Sequence, residues 1–367
     1  MPRVYIIIVN WNGWRDTIEC LESVFRLTYE DFRVIVCDNG SSDGSLGRIA
    51  GWAKGEVRAG CANPQLLHLT SPPCPKPIPS VRLEPGDELP SAGSSERLFL
   101  LSTGANLGFA GGNNAAIRLA LASGHVDYVW LLNNDTVVDE QALSRLVERC
   151  EQRAGVGMCG STLRYYYQPQ RIQAQGGCAY NAWTARMREI GLGADASSTL
   201  DAALVESRIH YVSGASMLVR RALLESVGLM NEEYFLYFEE IDWATRARGT
   251  FGLAYAPGSL VFHKDGGSTG TQGGVGNTNG AQRRTASPLS EFYTARNRIL
   301  FTFRHHRIAL PAVMAALAAS GLQRLLRGRW RNFMALLRGW GAGVCLISRH
   351  PPASNSGHAG SPRKEDR

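Results

Sequence analysis
Acidic side chains are absent from residues 292–364, a stretch that carries 12 Lys or Arg. The whole chain has a net charge of +7, so the rest of it sums to −5. A segment that cannot neutralise itself points to an anionic partner. Nucleic acid is not the expected partner, because no recognition motif accompanies the charge. Cys-x-x-Cys pairs are also lacking: Cys20, Cys37, Cys61, Cys74, Cys150, Cys159, Cys178 and Cys345 fall at irregular spacing. That excludes a thiolate zinc site and a disulfide framework, and implies reduced thiols in a cytosolic setting. No Gly-x-Gly-x-x-Gly opens a helix after a strand and no Walker lysine is present, which excludes the usual dinucleotide and ATP sites. Hydrophobic runs are short. Residues 4–9 pass straight into polar sequence and are no signal peptide. The longest apolar stretch, 308–322, is interrupted by Pro311, Ser320 and Gly321, so no spanning helix is expected.

What the chain does have is an alternation of strand and helix patterns. With 367 residues and 44% hydrophobic content it can bury one elaborated α/β domain plus an appendage. Residues 4–9, 32–37, 98–101 and 128–132 are apolar runs of buried-strand type. Helical spacing follows them at 16–25, from Ser45, at 115–122 and at 141–150. This order predicts a wound, mostly parallel sheet. Eight prolines between Pro64 and Pro90 predict an irregular surface insertion over 61–97. Further strands are expected at 155–160, 215–219 and 260–262. The glycine-rich stretch 266–280 reads as a flexible loop and 351–367 as a disordered tail.

Two acidic sites carry the chemistry. The first, Asn133-Asn134-Asp135, ends an apolar strand. Open α/β sheets bind ligands at the carboxyl ends of their strands, and a carboxylate there suits Mg²⁺ or Mn²⁺ bound to a diphosphate. The other use of Asp135 is to cap a helix starting near Val138. His263 follows a strand and offers an imidazole to the same metal; otherwise it is an ordinary loop histidine. The second site is Glu239-Glu240-Ile241-Asp242. Acids are common in a first helical turn for dipole reasons. Here residues 234–238 form an aromatic wall that raises a carboxylate's pKa by desolvation, as a base for a sugar hydroxyl requires. Asp38 and Asn39 end the second strand and suit either a nucleobase edge or a tight turn with Gly40.

Six stretches coincide with a known family: VYIIIVNWNG (4–13), VIVCDNGSSDGS (34–45), NLGFAGGNN (106–114), VWLLNNDT (129–136), FEEIDWATRAR (238–248) and YTARNR (293–298). In this order they make the chain resemble family 2 glycosyltransferases of the GT-A fold, especially rhamnosyltransferase-like enzymes of bacterial surface polysaccharide synthesis. The resemblance implies an α/β fold of GT-A type, a wound mixed sheet flanked by helices, with the basic helical carboxyl-terminal appendage added. It implies a catalytic domain over 1–291, a basic amphipathic region over 292–350 and the tail beyond. It also implies a nucleotide-diphospho-sugar donor, dTDP-L-rhamnose first and UDP- or GDP-sugars next, with inversion in a single displacement. The metal, Mg²⁺ or Mn²⁺, falls to Asp135 and His263. The base falls to Glu240, with Asp242 as the second catalytic acid. Donor contacts fall to Val9, Asn10, Asp38, Asn39, Asn106, Gly108, Asn113, Asn134 and Arg296, with Arg298 as substitute for Arg296.

The basic block completes the reading. Trp330, Phe333, Leu336, Leu337 and Trp340 recur at helical spacing among arginines. Such a helix lies in a membrane interface against anionic lipid, or packs on the catalytic domain. A glycan or lipid-linked acceptor and a peripheral position on the inner face of the cell membrane, through residues 308–340, fit the first use. Two other functions are compatible with the pattern: a noncatalytic nucleotide-sugar-binding scaffold, and a sugar-nucleotide nucleotidyltransferase. The latter wants a Gly-rich, Arg-containing loop after the first strand, which Asn10-Trp11-Asn12-Gly13 does not supply.

Overall fold
The computed structural model describes residues 1–90, 94–198, 200–264 and 287–349. The loop at 266–280 and the tail at 351–367 lie outside the described residues. The first half of the chain contains β1 (Val4–Asn10), α1 (Trp14–Val24), β2 (Phe32–Asp38), α2 (Ser45–Lys54), β3 (Ser80–Leu83), β4 (Leu98–Ser102), α3 (Gly108–Ala122), β5 (Tyr128–Leu132), β6 (Thr136–Val138) and α4 (Ala142–Glu151). There follow β7 (Val156–Tyr165), β8 (Gln168–Gln175), β9 (Gly177–Asn181), β10 (Arg186–Glu189), α5 (Ala202–Glu206), β11 (Tyr211–Val212), β12 (Ser216–Arg220), α6 (Arg221–Ser226), α7 (Glu239–Ala247) and β13 (Gly252–His263). The chain then turns helical in α8 (Pro288–His305), α9 (Leu310–Leu326) and α10 (Trp330–Arg349).

Among the described residues the main sheet runs β3-β4-β2-β1-β5-β12-β7-β13-β6, with β8 on β7. Strands β3, β4, β2, β1 and β5 are parallel, and β12 reverses the direction. Period-two alternation explains why β1 is apolar throughout. Tyr5 and Ile7 enter one core with Ile35, Phe99, Val129 and Leu131. Val4, Ile6 and Ile8 enter the opposite core with Val34, Leu98, Tyr128 and Trp130. Helix α3 covers the first face; α1, α2 and α4 cover the second.

Several expectations are revised. The helix expected at 115–122 starts at Gly108, because Asn106 Oδ1 accepts from Gly108 N (2.9 Å) and starts the first turn inside the Asn/Gly motif. The stretch 61–97 holds a 3₁₀ turn, Pro64–Leu69, and the edge strand β3, paired parallel with β4. It is tied down where Tyr166 Oη accepts from Ala62 N and Asn63 N, both at 3.0 Å. Among the described residues, one helix, Arg307–Leu326, is long and apolar enough to cross a membrane by length and composition, although Pro311, Ser320 and Gly321 interrupt its apolar run. Only 22% of its most apolar stretch is buried. The expected apolar stripe of α10 is split: Leu336 is buried at 2% exposure, where Gly339 and Gly343 bring α10 close against α8, while Trp330 and Leu337 stay exposed. All eight cysteines are free.

Candidate active site
The carboxyl ends of β1, β2 and β5 converge on a cavity of about 320 Å³. Under its rim lies a buried polar chain. Asn134 Nδ2 donates to Thr17 Oγ1 (3.1 Å), Thr17 Oγ1 donates to Asn10 Oδ1 (2.8 Å), and Asn10 Nδ2 donates to Asp38 Oδ1 (2.7 Å). Asp38 Oδ2 accepts from Ser41 N at 3.1 Å. Asn10 and Asp38 are 0% and 4% exposed and do not line the cavity. In this structure their polar groups pin strand ends together beneath the cavity. Asn39 does reach the wall. Its Nδ2 donates to Gly108 O (3.0 Å) and Asn106 Oδ1 (3.1 Å), and its Oδ1 accepts from Leu107 N (3.0 Å). Val9, Asn106, Gly108, Asn113 and Asn134 line the same wall. Gly108 is required here: φ is +74°, and a Cβ would sit 2.3 Å from Phe235 O.

Asp135 and His263 meet across the β6–β13 pairing, where His263 is opposite Thr136. Val138 lies in a strand, so Asp135 caps no helix there. His263 Nε2 is 3.1 Å from Asp135 Oδ1, and both side chains line the cavity. His263 Nδ1 lies 3.0 Å from Gln173 Oε1. One carboxylate oxygen and one imidazole nitrogen facing a common space are a fitting pair for Mg²⁺ or Mn²⁺. No group of three or more His, Cys, Asp or Glu suited to a metal occurs among the described residues.

To the same cavity α7 delivers Glu239 and Glu240. Burial pushes the Glu240 carboxyl up to about 7, against backbone N–H groups of Glu240 and Gly214 that pull it down. Gly214 is pressed on this carboxylate, since a Cβ there would lie 2.5 Å from Glu240 Oε1. Burial and the Glu240 charge raise Glu239 as well. The segment leading in is strained: Phe235, Tyr237 and Phe238 have φ of 61°, 67° and 75°.

Two family models match, "Glycosyl transferase family 2" over residues 5–64 and "Glycosyltransferase like family 2" over residues 92–285. The chain belongs to glycosyltransferase family 2. A low-salt glycan biosynthesis hexosyltransferase of Haloferax volcanii is 26% identical over 162 residues, 42% of this chain and 48% of that protein. An N-acetylglucosaminyl-diphospho-decaprenol L-rhamnosyltransferase of Mycobacterium tuberculosis is 27% identical over 194 residues, 47% of this chain and 60% of that protein. The chain thus spans about half to three-fifths of these relatives. A mannosyltransferase from Pyrobaculum calidifontis, solved with GDP-Man and Mn²⁺, superposes with a TM-score of 0.51 at 15% identity, over 94% of this chain and 88% of that one. The fold is GT-A.

Two further residues of this family 2 chain are used differently from the sequence expectation. Asp242 does not line the cavity. It is 2% exposed and accepts from Tyr234 Oη (3.1 Å) and Arg246 Nε (2.9 Å), with His305 Nε2 at 2.7 Å. Burial alone would raise its pKa, but His305 and Arg246 outweigh it and hold the carboxyl low. Arg296 is also outside the wall, as is Arg298. The Arg296 guanidinium is consumed by the carbonyls of Glu233 (2.5 Å) and Tyr234 (2.8 Å). The sequence reading missed Gln173 and Gly214, whereas Phe235, Leu236 and Tyr237 of the expected aromatic wall do line the cavity. Gln173, in a polar edge strand, gave no signal.

Proposed function
We propose that this chain is an inverting glycosyltransferase that moves a sugar from a nucleotide-diphospho-sugar to a glycan or lipid-linked acceptor. The observation that carries the reading is the presence, in the lining of one cavity, of the Asp135–His263 pair together with Glu240. Glu240, pushed up to about 7, is basic enough to take a proton from an acceptor hydroxyl and still ionised near neutral pH. That hydroxyl oxygen bonds to the anomeric carbon as the bond to the diphosphate breaks, and the proton moves to Glu240. Asp135 and His263 hold Mg²⁺ or Mn²⁺, which when bound neutralises charge on the diphosphate. Asn39, Asn106 and Asn113 supply polar contacts for the nucleotide beside Val9 and Gly108. Glu239, its carboxyl raised by burial and by the Glu240 charge, lines the same wall. L-rhamnose is the first sugar to test, because the Mycobacterium tuberculosis relative is an L-rhamnosyltransferase.

The test is thermal stability with dTDP, UDP and GDP, each with and without Mn²⁺, followed by transfer from the matching donor. A metal-dependent shift for one nucleotide is expected, and transfer should disappear in Asp135→Ala and Glu240→Gln. Binding without transfer in any condition would favour the scaffold instead.

We further infer that α9 rests on an anionic membrane surface on the cytoplasmic side, which brings a lipid-linked acceptor to the cavity. Ile308, Leu322, Leu326 and Trp330 are 86%, 55%, 78% and 59% exposed, and Arg327, Arg329 and Arg331 are exposed beside them. An apolar face rimmed by arginine suits a headgroup interface. Flotation with vesicles containing phosphatidylglycerol should recover the protein, and neutral vesicles should not. Binding that survives Leu326→Asp together with Trp330→Asp would overturn the assignment.

A further inference from the structure
The segment that sets the direction of Glu239 and Glu240 does not hold itself in place. Phe235, Tyr237 and Phe238 occupy left-handed backbone that side chains of their size rarely adopt. Such a conformation persists only where its surroundings impose it. Here one side chain on α8 holds three of the segment's carbonyls at once. Asn297, 0% exposed, donates from Nδ2 to the carbonyls of Tyr234, Leu236 and Tyr237, each at 2.8 Å. An asparagine amide can be turned either way, but here Arg296 Nε donates to Asn297 Oδ1 at 2.8 Å. That bond requires the oxygen to face Arg296 and leaves the NH₂ to face the three carbonyls. The segment is pinned on its other side by Phe109 N, which donates to Phe235 O at 2.7 Å. Tyr293, also on α8, stacks on Phe235 with ring centroids 4.8 Å apart.

We propose that Asn297, oriented by Arg296, is the positioning residue that aims Glu240 at the acceptor hydroxyl, and that neither α8 residue contacts the donor. This rests on the glycosyl-transfer reading above. An α8 held this way also links the base to α10. A Cβ at Gly343 would lie 2.9 Å from Arg296 O, so α10 seats directly behind the clamp.

The test compares wild type, Asn297→Asp and Gly343→Ala in full-length protein. Asn297→Asp keeps the shape but turns an oxygen toward three carbonyl oxygens. A base displaced by about 1 Å loses on the order of 100-fold in rate, so kcat should fall by that much. Donor KM and the nucleotide-plus-Mn²⁺ thermal shift should stay within about threefold of wild type, because no donor contact is removed. The acid limb of the pH–rate profile should move to lower pH as the aromatic wall loosens around Glu240. A purely structural lesion would lower the melting point without moving that limb. Gly343→Ala, which presses on the Arg296 backbone while leaving both clamp side chains intact, should give the same pattern with a smaller fall. Wild-type kcat in both variants would overturn the proposal. So would a loss of donor affinity in proportion to rate, which marks a donor ligand. If wild type transfers no sugar from any donor, the functional reading fails first and this one with it.

Discussion
His263 Nε2 sits 3.1 Å from Asp135 Oδ1, while its Nδ1 lies 3.0 Å from Gln173 Oε1. Gln173 therefore fixes the ring so that Nε2, not Nδ1, is presented beside the carboxylate. An outer partner of this kind orients a ligating histidine, and its loss costs roughly 10–100-fold in metal affinity. Gln173→Leu should weaken Mn²⁺ binding by that factor, read by titration of the free Mn²⁺ EPR signal. Gln173→Glu, which keeps an accepting oxygen, should retain it. Asp135→Ala should make the nucleotide-induced thermal shift indifferent to Mn²⁺. Equal Mn²⁺ affinity in wild type and Asp135→Ala would remove the metal from this pair.

Glu240 gives a pH prediction with a definite sign. Its carboxyl is raised from 4.5 to about 7, chiefly by burial. As a base it must be ionised, so kcat/KM should rise about tenfold per pH unit up to about 7 and then level. Stability moves the other way. Between pH 4.5 and about 7 the native state holds a proton that the unfolded state has released, so stability falls as pH rises through that window. Glu240→Gln should remove this slope and gain stability relative to wild type above it. Denaturant unfolding at pH 5 and pH 8 checks it; a wild-type-like slope in the variant would rule Glu240 out as its source.

Asp242 behaves oppositely. His305 and Arg246 outweigh the burial penalty and hold its pKa below 3.8. Its contribution is thus present above about pH 3.8 and lost as pH falls through the lowered value. Arg246 is 30% exposed at its side chain, so the pair is discounted for solvent. Asp242→Asn should cost about 2 kcal/mol at neutral pH. It should leave the nucleotide-dependent thermal shift and the position of the acid limb unchanged, which a catalytic acid would not.

Sequence patterns reach the sheet more readily than the site. β5 is found where its apolar run ends, at Tyr128–Leu132, because burial on both faces writes an unbroken hydrophobic signal. Asp135 and His263 follow from strand ends, since the position of a strand's carboxyl end is legible. The acids of α7 are harder. Helical spacing says that Glu239 and Asp242 share a side, but not how the helix is rotated about the cavity. That rotation depends on positive φ at Phe235, Tyr237 and Phe238, where aromatic residues give no hint of left-handed backbone. The resemblance gave Arg296 to the donor, but a guanidinium serves carbonyls as well as anions, and in this fold it meets the carbonyls of Glu233 and Tyr234. Gln173 lies 90 residues from His263, and β8 reaches it only through pairing with β7.

The carboxyl-terminal helices yield the last prediction. α10 meets α8 through small residues: a Cβ at Gly339 would lie 2.2 Å from Phe292 O, and one at Gly343 2.9 Å from Arg296 O. Ala335 and Leu336 of α10 are buried as well. Contact this close leaves no room for a branched side chain, so Gly339→Val must push the two helices apart. α8 carries Ser290, which pairs with Tyr237 Oη at 2.9 Å, and His305, which holds Asp242. Displacing α8 therefore disturbs both ends of the segment bearing Glu239 and Glu240. Removing residues after 309 exposes the buried face of α8 and should do more. Gly339→Val should lower the melting point by several degrees and the transfer rate by more than tenfold. A chain ending at 309 should be inactive even with a soluble acceptor that needs no membrane. Full activity of that shortened chain would show that the basic helices serve the membrane alone.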